Sequence, residues 1–155
     1  METFGIGKAN SRIAYDWRGG PLARMIQARL RAADLRPTRK RLSLAGLLFV
    51  AGNRHVTAEQ LRAEARALRM PLSLATVCNT LRQFAAVGLI REIALYGHTV
   101  WYDTDTGPHS HYFDEDRQAL SDIPFDVTRD LKIQAPPGRK IVGVDVIVRL
   151  RDADA

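Results

Sequence analysis

The sequence predicts an α+β protein in two parts, a basic helical domain followed by a small α/β domain. The chain has 155 residues and 46% hydrophobic content, enough to bury a core in one domain or two. Apolar residues recur at helical spacing up to about residue 87, and short alternating runs typical of strands follow. From Arg18 to Arg91 there are 14 Lys and Arg residues against 3 Asp and Glu, whereas the remainder has 7 against 12. This asymmetry predicts two units with different partners.

An arm and four helices are predicted up to residue 87. Residues 1–20 have no apolar periodicity and predict a flexible arm. Thr38 and Ser73 stand at N-cap positions, and Thr57 begins a capping box with Gln60. The predicted helices span 21–34, 38–50, 57–69 and 73–87.

Two short β-like segments, Leu89–Leu95 and Thr99–Asp103, flank the turn at Tyr96–His98 and predict a hairpin. Short helices followed by a hairpin are the arrangement of a winged helix, whose last helix enters the major groove of DNA. The sequence therefore predicts a winged-helix DNA-binding domain at residues 21–103.

A hinge and a strand-containing domain are predicted to follow. Residues 104–108 are polar and contain Gly and Pro, which is typical of a linker, and residues 109–155 form the second domain. Its last predicted strand has an alternating apolar face that so small a sheet leaves uncovered, so we expect this domain to form a homodimer. The predicted strands span 111–113, 118–123 and 141–150.

The helix at 73–87 carries polar side chains opposite its apolar stripe. Asn and Gln can bond adenine, and the Thr methyl can contact the thymine methyl, so these residue types favour A/T-rich double-stranded DNA. Nearby basic side chains can neutralise phosphates, although an ordinary solvated face is the alternative. The candidate base-reading residues are Ser73, Thr76, Asn79, Thr80 and Gln83, and the candidate phosphate-binding residues are Arg36, Arg39, Lys40, Arg41 and Arg82.

The histidines predict a metal site, with a solvated loop as the alternative. Residues i and i+2 of a strand point to the same side, so His109 and His111 could present two imidazoles to one ion. Nitrogen and carboxylate ligands suit Fe(II), Mn(II), Zn(II) or Co(II). Nearby candidate oxygen ligands are Asp114, Glu115, Asp116 and Asp122.

Several function classes are disfavoured. The single cysteine, Cys78, excludes an internal disulfide and a Cys-x-x-Cys site, and it fits a packed small hydrophobe. The longest apolar run, Leu42–Gly52, is shorter than the about 20 residues that cross a bilayer, and no signal peptide begins the chain. We therefore expect a cytoplasmic protein. Nucleophile-elbow, Walker and zinc-hydrolase motifs are missing, so we expect no enzyme. A metal-dependent hydrolase stays the weaker alternative.

Several runs of the sequence resemble the Fur superfamily of metalloregulators over roughly residues 22–123. Within it the chain is most similar to the iron response regulators called Irr, which similarly lack the Cys-x-x-Cys pairs of the dimerisation domain and respond to haem. The runs that carry the resemblance are Leu35–Arg41, His55–Leu61, Ser73–Leu81 and Gly88–Ile90.

The resemblance implies a homodimer that reads an A/T-rich inverted repeat and controls genes of iron or haem metabolism. It implies a sensor site with His55, His109 and His111, and with Asp122 near the position of a carboxylate ligand. The hairpin glutamate of the family is replaced by Tyr96, with His98 as a possible substitute. The implied ligands are a divalent metal (Fe, Mn or Zn) and haem, the latter bound through His109 and His111. A nucleic-acid-binding module without a regulatory role is the alternative.

Overall fold

The computed structural model describes residues 19–95, 99–129 and 131–153, and these residues form two compact units that divide between Thr106 and Gly107. The boundary between the units lies within the predicted hinge at 104–108. Residues 1–18 of the predicted arm and the predicted hairpin tip lie outside the described residues. Among the described residues, no helix is long and apolar enough to cross a membrane.

The first unit contains four helices and a three-stranded sheet. Capping side chains begin three of the helices, as the sequence predicts: Thr38 Oγ1 accepts from Arg41 N, Ser73 Oγ accepts from Thr76 N, and Thr57 forms its capping box. The elements are α1 Pro21–Ala32, α2 Arg39–Phe49, β1 His55–Thr57, α3 Ala58–Ala67, α4 Leu74–Ala86, β2 Arg91–Ala94 and β3 Val100–Asp103.

The core of the first unit lies between the helices. Helix α4 contributes Val77, Leu81 and Phe84, all completely buried, at the helical spacing read from the sequence. Gly88 follows α4 with φ +74°, a left-handed conformation that glycine adopts without a steric penalty, and the chain turns there into β2. The apolar stripe of α4 thus faces the core, which leaves Asn79, Arg82 and Gln83 exposed.

The sheet of the first unit has the order β1-β3-β2, with both pairs antiparallel. The predicted hairpin accounts for β2 and β3, but the sequence analysis missed β1. A three-residue strand has too little alternation to be recognised, and it forms only because β3 supplies its partner. Its pairing places His55 directly opposite Asp103.

The second unit contains a three-stranded sheet in the order β5-β4-β6. Strand β4 pairs antiparallel with β5 and parallel with β6, so β4 is the central strand. The prediction of a strand over the whole of 141–150 is wrong for 141–146. Pairing with β4 begins where His111 N donates to Val146 O, because His111 is the first residue of β4. The strands are β4 His111–Asp114, β5 Ala119–Asp122 and β6 Ile147–Leu150.

Ion pairs hold β6 beside the end of β4. The carboxylate of Glu115 pairs with Arg149 and Arg151, and the guanidinium of Arg117 bridges Asp114 and Asp152. The hydrogen bond from Arg151 holds the pKa of Glu115 below its ordinary value. The hydrogen bonds from Arg117 likewise lower the pKa of Asp114. These acidic residues therefore serve the packing of the sheet.

Candidate metal centre and nucleic-acid interface

Three potential metal ligands lie together in the second unit. His109 Nε2 is 3.2 Å from Asp122 Oδ1, and His111 Nε2 is 3.7 Å from the same oxygen. The two imidazole rings have centroids 4.5 Å apart and are tilted by 59°. One ligand atom from each of the three residues lies within 4.8 Å of the others. We call His109, His111 and Asp122 the triad.

Strand register and one backbone carbonyl set the geometry of the triad. His111 on β4 pairs with Asp122 on β5, which brings imidazole and carboxylate to one place. His109 Nδ1 is 2.9 Å from Gly107 O, and because a carbonyl only accepts, Nδ1 carries the proton. Nε2 of His109 is therefore the nitrogen with a lone pair to offer, and it is the atom that faces Asp122.

The donor set fits a divalent cation. Two imidazole nitrogens and one carboxylate oxygen are ligands for Fe(II), Mn(II) and Zn(II), and a carboxylate also offsets part of the charge of the ion. His111 is buried and His109 is half-buried, whereas the Asp122 side chain is 45% exposed and leaves a route for entry. The other acidic residues near the triad in sequence are engaged elsewhere, Asp114 and Glu115 by arginines and Asp116 by Asp152 N.

The first unit holds a separate histidine and carboxylate pair. His55 Nε2 lies 3.4 Å from Asp103 Oδ2, and Asp103 is completely buried. The other oxygen of Asp103 accepts a hydrogen bond from Asp105 N at 2.8 Å, which fixes the orientation of the carboxylate. Asp103 is not among the ligands predicted from the sequence. The signal that identifies it is the β1–β3 register opposite His55, which requires β1 to be recognised first.

The structure places the predicted residues His109, His111 and Asp122 next to one another, and it pairs His55 with Asp103. His98 and Tyr96, the residues considered for the hairpin ligand, lie outside the described residues. Cys78 is on α4 and is partly buried against the core of the first unit, consistent with a packing role. No thiolate therefore lies among the residues of the triad.

A cavity of about 400 Å³ opens beside the triad in the second unit. His109 and Ser110 contribute to one part of its wall, and Ile123, Phe125 and Val144 give it an apolar lining. The Phe125 side chain is largely exposed, so the cavity is open at the surface. The wall of the cavity is therefore partly polar and partly apolar, and it includes the His109 imidazole.

Helix α4 presents an exposed polar face in the first unit. Asn79, Arg82 and Gln83 are exposed, and Thr76 is partly exposed. The sequence predicts Thr80 at the flank of this face, and this prediction is wrong. Thr80 is buried, and its hydroxyl donates a hydrogen bond to Thr76 O. The Ser73 and Thr76 hydroxyls lie 2.9 Å apart and bond each other at the start of the helix.

The predicted phosphate-binding residues divide into two groups. Arg36, Arg39 and Lys40 are exposed around the start of α2. Arg41 is half-buried, and its guanidinium bonds the Gln83 side chain and the carbonyl of Arg36. Arg41 therefore lies against α4 instead of extending into solvent. This contact links the second and fourth helices of the unit.

Comparison with known proteins identifies the family. The family model described as "Ferric uptake regulator family" matches residues 32–148. The chain belongs to the ferric uptake regulator family. The ferric uptake regulation protein of Pseudomonas fluorescens is 36% identical over 88 residues, which cover 56% of this chain and 72% of that protein. The ferric uptake regulation protein of Pseudomonas aeruginosa is 36% identical over 83 residues, 53% of this chain and 62% of that protein.

Solved structures of ferric uptake regulators share the fold. The regulator of Pseudomonas aeruginosa with manganese has a TM-score of 0.66 at 26% identity, over 83% of this chain and 98% of that one. The regulator of Vibrio cholerae has a TM-score of 0.67 at 21% identity, over 81% and 98%. The α+β fold with a winged helix and a smaller second domain is confirmed. Proteins of the ferric uptake regulator family are transcription regulators, which agrees with the expectation of no enzyme.

Proposed function

We propose that this ferric uptake regulator family protein is a dimeric, metal-responsive transcription regulator that binds double-stranded DNA through α4. The observation that carries the proposal is the triad, which provides two imidazole nitrogens and a carboxylate oxygen as metal ligands. The other unit of the chain has a helix, α4, with an exposed polar face. The proposal assigns DNA binding to residues 21–103. It assigns sensing and dimerisation to residues 109–155.

DNA binding is proposed to use two kinds of contact. Arg36, Arg39 and Lys40 neutralise phosphates and fix the position of the unit, because guanidinium and ammonium groups replace counterions along the backbone. Asn79 and Gln83 lie one helical turn apart on α4 and meet the edges of successive bases. The expected target is an A/T-rich inverted repeat, since a symmetric dimer presents two copies of α4.

Metal binding is proposed to use the triad. His109 and His111 donate the Nε2 lone pairs, and Asp122 donates a carboxylate oxygen. A bound divalent cation supplies a positive charge and a fixed coordination geometry. The Gly107 carbonyl orients His109, because its hydrogen bond with Nδ1–H fixes the ring and leaves Nε2 as the nitrogen directed at the site.

We extend the proposed ligand set to His55, which the family resemblance implies, and to Asp103, which accompanies His55 in the first unit. His98 stays a proposed substitute for the hairpin ligand. DNA affinity depends on the metal in this proposal, since the ion binds one domain arrangement better than another.

The finer proposal is that the protein is an Irr-type regulator that also responds to haem and controls genes of iron or haem metabolism. Its support is the single cysteine, which rules out Cys-x-x-Cys pairs, and the partly apolar cavity beside His109. His109 and His111 would supply the imidazole nitrogen that binds the haem iron. A shift of the haem Soret band on adding the protein, lost when both histidines are replaced by Ala, is the expected result. An identical spectrum with the double variant contradicts haem binding at this site.

DNA selected from a random-sequence pool by the purified full chain tests the proposal. We expect an enriched inverted repeat with A/T-rich half-sites, and enrichment that depends on added Mn(II). Retention of all sequences alike would favour a module that recognises nucleic acid by shape. Hydrolytic turnover that requires Mn(II), without any enriched sequence, would favour the metal-dependent hydrolase.

A further inference from the structure

We propose that Arg41 is a positioning residue that fixes Gln83 as a hydrogen-bond donor to DNA. Gln83 then reads a base by the acceptors on its major-groove edge, with guanine preferred and cytosine rejected. The inference rests on the proposed function, because it concerns how α4 reads DNA. It changes the expectation that Gln83 bonds adenine through both its amide oxygen and its amide nitrogen.

The geometry fixes which end of the Gln83 amide faces Arg41. Arg41 Nε is 3.2 Å and Nη2 is 2.9 Å from Gln83 Oε1. Oxygen and nitrogen of an amide are often hard to distinguish, but a guanidinium has donors only. The Gln83 atom that faces Arg41 is therefore the carbonyl oxygen, and the amino group points away from the guanidinium.

The carbonyl oxygen of Gln83 has no acceptor capacity left for a base. A carbonyl oxygen has two lone pairs, and Arg41 directs two N–H groups at it. The third nitrogen of the guanidinium, Nη1, is held as well, because it donates to Arg36 O at 2.9 Å. A planar guanidinium held on three atoms turns less readily than a single-bonded side chain, and both Gln83 bonds are charge-assisted.

The bases differ in what they offer to an amide that can only donate. Guanine presents N7 and O6, two acceptors, which match the two N–H groups of the Gln83 amino group. Adenine presents one acceptor beside a donor, and thymine presents one acceptor. Cytosine presents a donor, which would face the amino group of Gln83 and leave both without a partner. Without Arg41, the Gln83 oxygen is released and the bidentate pairing with adenine becomes possible.

The same contact sets Arg41 apart from the neighbouring basic residues. Arg36, Arg39 and Lys40 are exposed, whereas Arg41 is half-buried and directed to α4. A phosphate contact would appear in the salt dependence of binding, and a positioning role would appear in base preference. Replacing Arg41 should therefore change which base is preferred at one position and leave preferences elsewhere unaltered.

The experiment compares wild type, Arg41→Met, Gln83→Ala and the double variant on half-sites carrying each of the four bases at each position. We expect wild type to prefer guanine at one position, Arg41→Met to shift that position toward adenine by about tenfold, and Gln83→Ala to remove the preference. The double variant should match Gln83→Ala, since Arg41 acts through Gln83. Arg66→Met, which replaces an exposed arginine of α3, is the matched control, and its base preferences should equal those of wild type.

An unchanged base preference in Arg41→Met, or an effect of Arg41→Met that persists in the Gln83→Ala background, overturns the inference. Arg41→Lys keeps the charge but has no planar pair of donors, so it should shift the same position by a smaller factor, and it serves if Arg41→Met fails to fold. Absence of any sequence preference in wild type is a different outcome, because it contradicts the proposed function itself.

Discussion

A buried carboxylate next to a histidine is the least expected feature at the scale of single residues. Asp103 is completely buried and lies 3.4 Å from His55. Burying a carboxylate without polar partners is strongly unfavourable, so the Asp105 N–H and the His55 ring stabilise its charge. A ligand role would explain why a negative charge lies beside His55.

Asp103→Asn should weaken Mn(II) binding by at least about 10- to 100-fold, the range found when the hydrogen-bond partner of a metal ligand is replaced. The amide keeps the shape of the side chain and removes its charge. Isothermal titration with Mn(II) measures the change. Asp105→Asn is the matched control, because Asp105 bonds Asn53 at the surface. Equal affinities of Asp103→Asn and Asp105→Asn would remove Asp103 from the proposed ligand set.

Arg39→Ala should weaken binding to all DNA sequences alike and lower the slope of log affinity against log salt by about one. The reason is that Arg39 is exposed at the start of α2 and is proposed to contact phosphate. Binding titrations at several salt concentrations give the slope. Arg139→Ala, an exposed arginine of the second unit, should keep the wild-type slope. A slope that does not change in Arg39→Ala rejects the phosphate contact.

At the scale of elements, local signals explain what the sequence predicts well. The N-caps Thr38, Thr57 and Ser73 act within one helical turn, so the starts of α2, α3 and α4 can be identified without any tertiary information. The buried stripe of α4 follows from spacing alone. The proximity of His109 and His111 can also be predicted locally, since the two residues are only two positions apart in the sequence.

Pairing between distant segments explains what the sequence analysis missed. Strand β1 exists only beside β3, and Asp103 can be assigned to His55 only through that register. Alternation over 141–150 predicts a strand without showing where its partner begins, and pairing with β4 limits β6 to Ile147–Leu150. Thr80 was misplaced because its position on a helical wheel does not show how closely the neighbouring elements cover it.

The ion pairs of Glu115 give β6 a stability that depends on pH. Arg151 and Arg149 lower the pKa of Glu115 in the folded state, so its contribution is present above the ordinary pKa of a glutamate and is lost as pH falls through the lowered value. We expect β6 amides to exchange hydrogen faster under acidic conditions, after correction for the intrinsic rate. Glu115→Gln should show a smaller dependence, since only the ion pairs of Arg117 with Asp114 and Asp152 remain. A wild-type response that persists in Glu115→Gln would contradict this origin.

At the scale of the whole molecule, an exposed apolar face supports dimerisation. Val142, Val144, Val148 and Leu150 are exposed, Val142 to 90%. In the described part of the chain, β6 is an edge strand of its sheet, and an uncovered apolar edge is unfavourable in water. The second unit is therefore the proposed place of contact between two copies.

Val148→Asp should convert the dimer to a monomer, because it places a charge on that apolar edge. Sedimentation velocity at micromolar concentration distinguishes the two masses. Val87→Asp is the matched control: Val87 is a similarly exposed apolar residue of the first unit, and this variant should stay dimeric. A monomeric wild type, or a dimeric Val148→Asp, would contradict dimerisation through β6.

The central claim is that the triad controls DNA affinity, and one measurement tests it most directly. The affinity for the selected DNA site is determined with and without Mn(II) for wild type, His109→Ala/His111→Ala and Asp116→Asn. We predict that Mn(II) changes the affinity of wild type and Asp116→Asn by about 5- to 150-fold, and that the double variant binds DNA with no effect of Mn(II). The same Mn(II) effect in the double variant as in wild type would contradict the account.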